Sequence, residues 1–116
     1  MKPETTDALR AGRALFNAQQ YFEAHEVWEV AWRREAGEPR VLLQALIMVA
    51  AGCHKATVHQ PRGTVKLLVE AVDKLALVPG LEDFRAQVMQ ALAHAERWNA
   101  GQGEALVPTL VLARDF

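Results

Sequence analysis

The residues best suited to chemistry in this chain cluster around one motif: His25, Glu29 four positions later, and Trp32 three beyond that. A histidine one helical turn before a carboxylate can hydrogen-bond to it, which fixes the imidazole tautomer and favours its charged form. The indole N–H of Trp32 is a donor only and needs a partner when buried. On a helix each residue turns by about 100°. Tyr21, Ala24, His25, Trp28 and Trp32 therefore share one stripe, with Glu29 beside it and Glu23 and Glu26 turned toward solvent. Further along, Gln44, His54 and Lys55 lie close enough on a second helix to complete a polar seam with His25, Glu29 and Trp32.

Three kinds of chemistry fit that seam. It could be a closed interhelical network that sets the register of two helices. It could instead floor a small-molecule or anion pocket lined by His25, Glu29, Trp32, Gln44, His54 and Lys55, with Arg33, Lys55 or Arg62 near the mouth. The alternative is a divalent-metal-dependent hydrolase with His25, Glu29 and His54 as ligands. His25-Glu26 resembles the start of a His-Glu-x-x-His zinc helix, but Glu29 stands where that motif places its second His. No other cofactor is expected. The chain has no Ser, so a Ser triad is excluded, and Cys53 and His54 are helix neighbours that point about 100° apart. Cys53 reads as a buried, inert thiol. His59 and His94 read as surface residues.

These side chains need helices to position them, and apolar residues recur at three- and four-residue spacing almost throughout. A first helix runs from about Thr5 or Thr6 to Asn17, with Leu9, Gly12 and Phe16 inward, and a second from Tyr21 to Glu35. Gly37-Glu38-Pro39 makes a break before a third, from about Arg40 to Thr57. Val41, Leu42, Leu43, Leu46, Ile47 and Val49 make that third helix apolar nearly all round, as expected of a central one. A fourth follows His59-Gln60-Pro61-Arg62-Gly63 and stops at Pro79-Gly80, and a fifth runs from about Leu81 to just before Gly101. The reading is an all-α chain, a bundle of about five helices around a central apolar one. No linker or repeat divides it, so residues 1–116 read as one domain. The strip Ala105 to Leu112 is rich in branched residues and Pro, and is expected to lie extended in a groove, within the chain or on a second copy.

At 116 residues the chain should bury about two-thirds of its surface, leaving roughly 6,300 Å² exposed, with no need of a disulfide or structural metal. Thirteen Lys and Arg against 14 Asp and Glu give a net charge of -1 and no basic block, which argues against nucleic acid as a partner. The most apolar segment, Val41 to Cys53, is too short to span a bilayer, and the polar start lacks a signal-peptide pattern. A cytoplasmic protein, monomer or homodimer, with a small-molecule ligand as candidate partner and no membrane contact is the expectation.

One resemblance sharpens this. Phe16-Asn17-Ala18-Gln19-Gln20-Tyr21-Phe22-Glu23-Ala24-His25-Glu26-Val27-Trp28-Glu29-Val30-Ala31-Trp32, then Leu42-Leu43-Gln44-Ala45-Leu46-Ile47, His54-Lys55 and Arg62-Gly63, resembles domain-of-unknown-function family 309 from about Leu15 to Leu75. The carrying pattern is His-x-x-x-Glu-x-x-Trp, supplied by His25, Glu29 and Trp32. The chain departs from it where the family often has Gly at Gln19 or Gln20 and Leu at Trp28. The resemblance implies a small all-helical fold and a functional patch, but no assigned reaction.

Overall fold

Five helices form where the periodicity places them: α1 (Pro3–Asn17), α2 (Tyr21–Arg34), α3 (Gly37–Thr57), α4 (Pro61–Leu75) and α5 (Glu82–Asn99). The structure, a computed structural model, describes residues 1–116. Three starts differ from the expectation. α1 begins at Pro3, whose missing N–H costs nothing in a first turn, and Thr5 is no cap: it is buried, and its hydroxyl donates to Glu35 Oε2 at 2.6 Å. α3 begins at Gly37, whose φ of 64° lets the chain turn into the helix after the extended Glu35 and Ala36, so Pro39 falls in its first turn. α4 begins at Pro61, again the first helical residue.

Each helix packs on its neighbour in sequence, α1 on α2, α2 on α3, α3 on α4 and α4 on α5. α3 is thus flanked on both sides and buries nine residues, from Leu42 to Ala56. α1 and α5 meet the rest through α2 and α4, and the Phe16 and Phe84 rings touch edge-on at 5.7 Å. The chain exposes 6382 Å², close to the area expected of a compact body of its mass.

Contrary to the sequence reading, the fold contains a repeat. The α1–α2 turn and the α3–α4 turn share the same pair of closing hydrogen bonds at a spacing of 40 residues. In the first, Gln19 N donates to Phe16 O and Gln20 N to Leu15 O, both at 2.9 Å; in the second, His59 N donates to Ala56 O at 3.1 Å and Gln60 N to Lys55 O at 2.9 Å. These are Schellman pairs around a left-handed residue, Gln19 at φ 63° and His59 at φ 57°. Thr5, Leu9, Gly12, Phe16, Ala24, Trp28 and Ala31 are buried, and so are Ala45, Val49, Gly52, Ala56, Thr64, Leu68 and Ala71, each 40 positions on. Gly12 packs against the Trp28 indole as Gly52 packs against Leu68. α5 ends in the same motif, with Gly101 at φ 73° and Gln102 N donating to Arg97 O at 2.8 Å, but an extended tail follows it instead of a helix.

That tail docks within the chain. Leu106, Pro108, Leu110 and Leu112 turn inward while Val107, Thr109, Val111 and Ala113 face out, the alternation of an extended segment.

Candidate functional site

The α2 stripe places its first residues as expected. Tyr21, Ala24 and Trp28 are buried, Glu23 and Glu26 are exposed, and His25 and Glu29 are half-buried at the edge facing α3. His25 Nε2 lies 3.5 Å from Glu29 Oε2. The other carboxylate oxygen is taken by Arg33, whose Nη2 donates to Oε1 at 2.7 Å. Arg33 therefore closes on Glu29 and stands at no pocket mouth.

The seam does not join into one network. Trp32 Nε1 and His25 Nδ1 are both buried without a hydrogen-bond partner, and so is Trp28 Nε1. Trp32 is instead held through its ring face. The Arg40 guanidinium from α3 sits 3.9 Å above it, while Arg40 Nη1 donates to the carbonyls of Trp32 at 3.3 Å and Glu35 at 3.2 Å. One arginine thus meets a carbonyl in the last turn of α2 and that of the residue capping it, and covers the last aromatic of the helix. Gln44 is half-buried and makes no side-chain hydrogen bond. Lys55 leaves the seam altogether: its ammonium donates to Gln60 Oε1 at 3.1 Å and its stem lies over Gly63.

The expected metal set is not assembled. No three His, Cys, Asp or Glu side chains form a group that could hold an ion, so His25, Glu29 and His54 do not converge. Against both imidazoles lies Phe22, a residue the sequence reading passed over. Its half-exposed ring stacks on His25 at 6.2 Å between centroids and tilts against His54 at 5.4 Å, holding both imidazoles on an aromatic surface. The signal was there, since Phe22 lies three residues before His25 on the same side of α2.

The expected pocket over the seam is not among the five principal clefts. The largest cleft, about 720 Å³, lies between α1 and α2 and is lined by Lys2, Thr5, Ala8, Val27, Val30 and Arg34, and none of the five principal clefts is lined by His25, Glu29, Trp32, Gln44, His54 or Lys55. At one end of it Thr5 and the Lys2 amide donate to Glu35, and these bonds, Thr5's first, hold the Glu35 carboxyl below its ordinary range.

Below the seam lie two unreactive acids. Burial pushes the Cys53 thiol up to about 12, so it stays protonated at neutral pH and is a poor nucleophile, as the sequence suggested. Burial, and secondarily the neighbouring Cys53, raises the Tyr21 phenol to about 12, and the phenol donates to Pro108 O at 3.2 Å.

The fold and these contacts define an all-α protein of helical hairpins in series, with an aromatic and polar face along α2 and α3. Residues 9–67 match the family described as Domain of unknown function (DUF309), half of the chain, and the chain belongs to that family. The matched stretch holds the first hairpin, all of α3 and the first part of α4; α5 and the tail lie outside it. No curated protein matches the chain.

Proposed function

We propose that the protein is a binding scaffold made of helical hairpins, and that the His25, Glu29 and Trp32 set is a structural joint within it. The observation that carries this reading is the use already made of the seam's polar groups. Glu29 is divided between Arg33 and His25, Trp32 lies under Arg40, and Arg40 caps α2 from the first turns of α3. A carboxylate bonded to Arg33 and closed off by His25, and an indole covered by Arg40, have little left to offer a substrate. Hairpins in series do have something to offer: faces and grooves along the stack on which a second chain can lie.

A second reading rests on His25 Nδ1 and Trp32 Nε1, two buried nitrogens without partners. A small hydrogen-bonding molecule or anion reaching both would make the seam a ligand site. A thermal-shift screen of phosphate, carboxylates and nucleotides separates the two. The scaffold reading expects no compound to raise the melting temperature in a way that His25→Ala abolishes, and expects Trp32→Leu and Arg40→Met to lower it with no compound present. A His25-dependent shift would transfer the function to the seam.

A further inference from the structure

The extended tail is bound in a way that says what else could bind there. Eight hydrogen-bonding contacts reach main-chain atoms between Glu104 and Phe116, and every one comes from a side chain of α1, α2 or α5 or its junctions. Two of the partners grip the chain as a neighbouring strand would. The Gln87 amide accepts from Val111 N at 2.9 Å and donates to Val111 O at 3.0 Å. The Asn17 amide does the same for Leu112, at 2.9 Å in both directions. Tyr21 adds a bond to Pro108 O and Arg13 one to Arg114 O. Contacts of this kind read the main chain, while specificity is left to the alternating inward side chains.

Two more observations bear on whether the occupant is fixed. A cleft of about 240 Å³ remains open between α5 and the Leu106 to Leu110 stretch, so the tail fills its groove incompletely. The segment joining it to α5, Gly101-Gln102-Gly103-Glu104, is exposed throughout and holds two glycines. A tether this short gives the tail an effective concentration of order millimolar, enough to keep a modest ligand in place and to be outcompeted by a better one.

We propose that the groove between α1 and α5 is a recognition site for an extended segment of another protein, apolar at every second position, and that the tail is its intramolecular stand-in. This rests on the scaffold reading and names its partner. The inward positions, Leu106, Pro108, Leu110 and Leu112, set the preference, and Asn17, Gln87 and Tyr21 hold the main chain of whatever lies there. The outward positions, Val107, Thr109 and Val111, are free to vary.

The test uses a fluorescent peptide with the sequence of residues 105–116 and the full chain, either unaltered or carrying Leu106→Asp and Leu110→Asp in its own tail. By anisotropy the peptide should bind the tail-weakened chain at least ~10-fold more tightly than the unaltered chain, because the competitor has been removed. Adding Asn17→Ala or Gln87→Ala to that chain should cost about 10-fold, from loss of paired main-chain bonds. Peptides altered to Ala at the three outward positions should bind within ~3-fold, and peptides carrying the two Leu→Asp changes at least ~30-fold more weakly. Equal binding to both chains, or no binding, overturns the proposal. A dimer formed by the tail-weakened chain would assign the groove to a second copy and also overturns it. Hydrogen exchange on the unaltered chain decides the matter even if the weakened chain does not fold. The Val111 and Leu112 amides should exchange at least ~100-fold faster than those of α3, through opening of the tail alone. If they exchange only with global unfolding, the tail is a core segment and no exchangeable ligand. Failure here leaves the scaffold reading to the seam experiment, which involves neither the tail nor its groove.

Discussion

The 40-residue repeat makes one substitution informative in two places. At Gly12 an added Cβ would fall inside the van der Waals shell of the Trp28 indole, a rigid, fully buried bicycle that cannot rotate away. At Gly52 the same Cβ would meet Leu68 Cδ2 at 2.9 Å, the tip of a flexible side chain. Ala in place of Gly inside a helix gains about 1 kcal/mol of propensity, while overpacking a filled core costs about 1–3 kcal/mol or more. Gly12→Ala should therefore lose about 2 kcal/mol or more, and Gly52→Ala should fall within about 1 kcal/mol of neutral. For a chain of this length each kcal/mol is about 4 °C in melting temperature. The repeat also suggests the rescue. Trp28→Leu installs the residue found at Leu68, and although it costs about 3 kcal/mol alone, combining it with Gly12→Ala should cost at least ~1.5 kcal/mol less than the sum of the two. Urea unfolding of the four proteins in the cycle measures this. Additive losses, or a Gly52→Ala loss as large as that at Gly12, would refute the claim that the two hairpins share one packing scheme.

Further outcomes follow from single contacts. Gln19→Gly and His59→Gly should each stabilise by about 0.5–1 kcal/mol, since both side chains sit in the left-handed region that Gly occupies freely; denaturant midpoints at unchanged slope check it. Glu29→Ala should cost about 0.5–1 kcal/mol, less than a fully buried pair would, and Glu26→Ala under ~0.5, by the same measurement. Acid titration of stability should show the lowered Glu35 carboxyl, with its contribution complete above the ordinary 4.5 and lost as pH falls through the folded value, and Thr5→Val should flatten that limb. At the alkaline end, stability should fall as pH rises from about 9 toward 12, because the folded chain holds the Cys53 and Tyr21 protons that the unfolded chain has released; iodoacetamide should accordingly label Cys53 only under unfolding conditions.

The sequence disclosed the helices because their apolar spacing repeats, and it disclosed the tail because so apolar a strip needs cover. It misjudged helix starts where a residue had a better use elsewhere: Thr5 looked like a cap, but its hydroxyl is spent on Glu35, 30 positions away. The repeat was illegible because the two hairpins share only Ala11/Ala51, Gly12/Gly52, Gln20/Gln60 and Ala31/Ala71 at matched positions among their first 35 residues. What repeats is volume opposite a glycine and a left-handed turn residue, and neither leaves a letter code when Trp28 answers to Leu68 and Gln19 to His59. At the seam, the pairing of His25 with Glu29 was legible from helical spacing. The capture of Glu29 by Arg33, of Trp32 by Arg40 and of both imidazoles by Phe22 depends on rotamers that spacing does not fix.

The tail and the repeat explain each other. α1 and α3 each end in a left-handed turn that sends a second helix back to cover them, and the covering residue opposite the glycine is large, Trp28 or Leu68. α5 ends in the same turn, but the residues after Gly101 include Gly103 and Pro108 and outward Val107, Thr109 and Val111, a composition that cannot hold a helix. α4 packs on α5 from one side, and Leu106, Leu110 and Leu112 add cover as an extended strip. A helix covers by side chains alone, because its main chain is satisfied internally, whereas an extended strip must have its amides and carbonyls met by something else. Asn17, Gln87 and Tyr21 meet that requirement, and they come from the α1–α2 junction and from α5, which only the completed stack brings to one groove. A groove furnished with side-chain donors and acceptors for a main chain is of no use to a helix and suits an extended chain with apolar residues at alternate positions, which is why the end of the stack, and not the His25 motif, is where a partner should be sought.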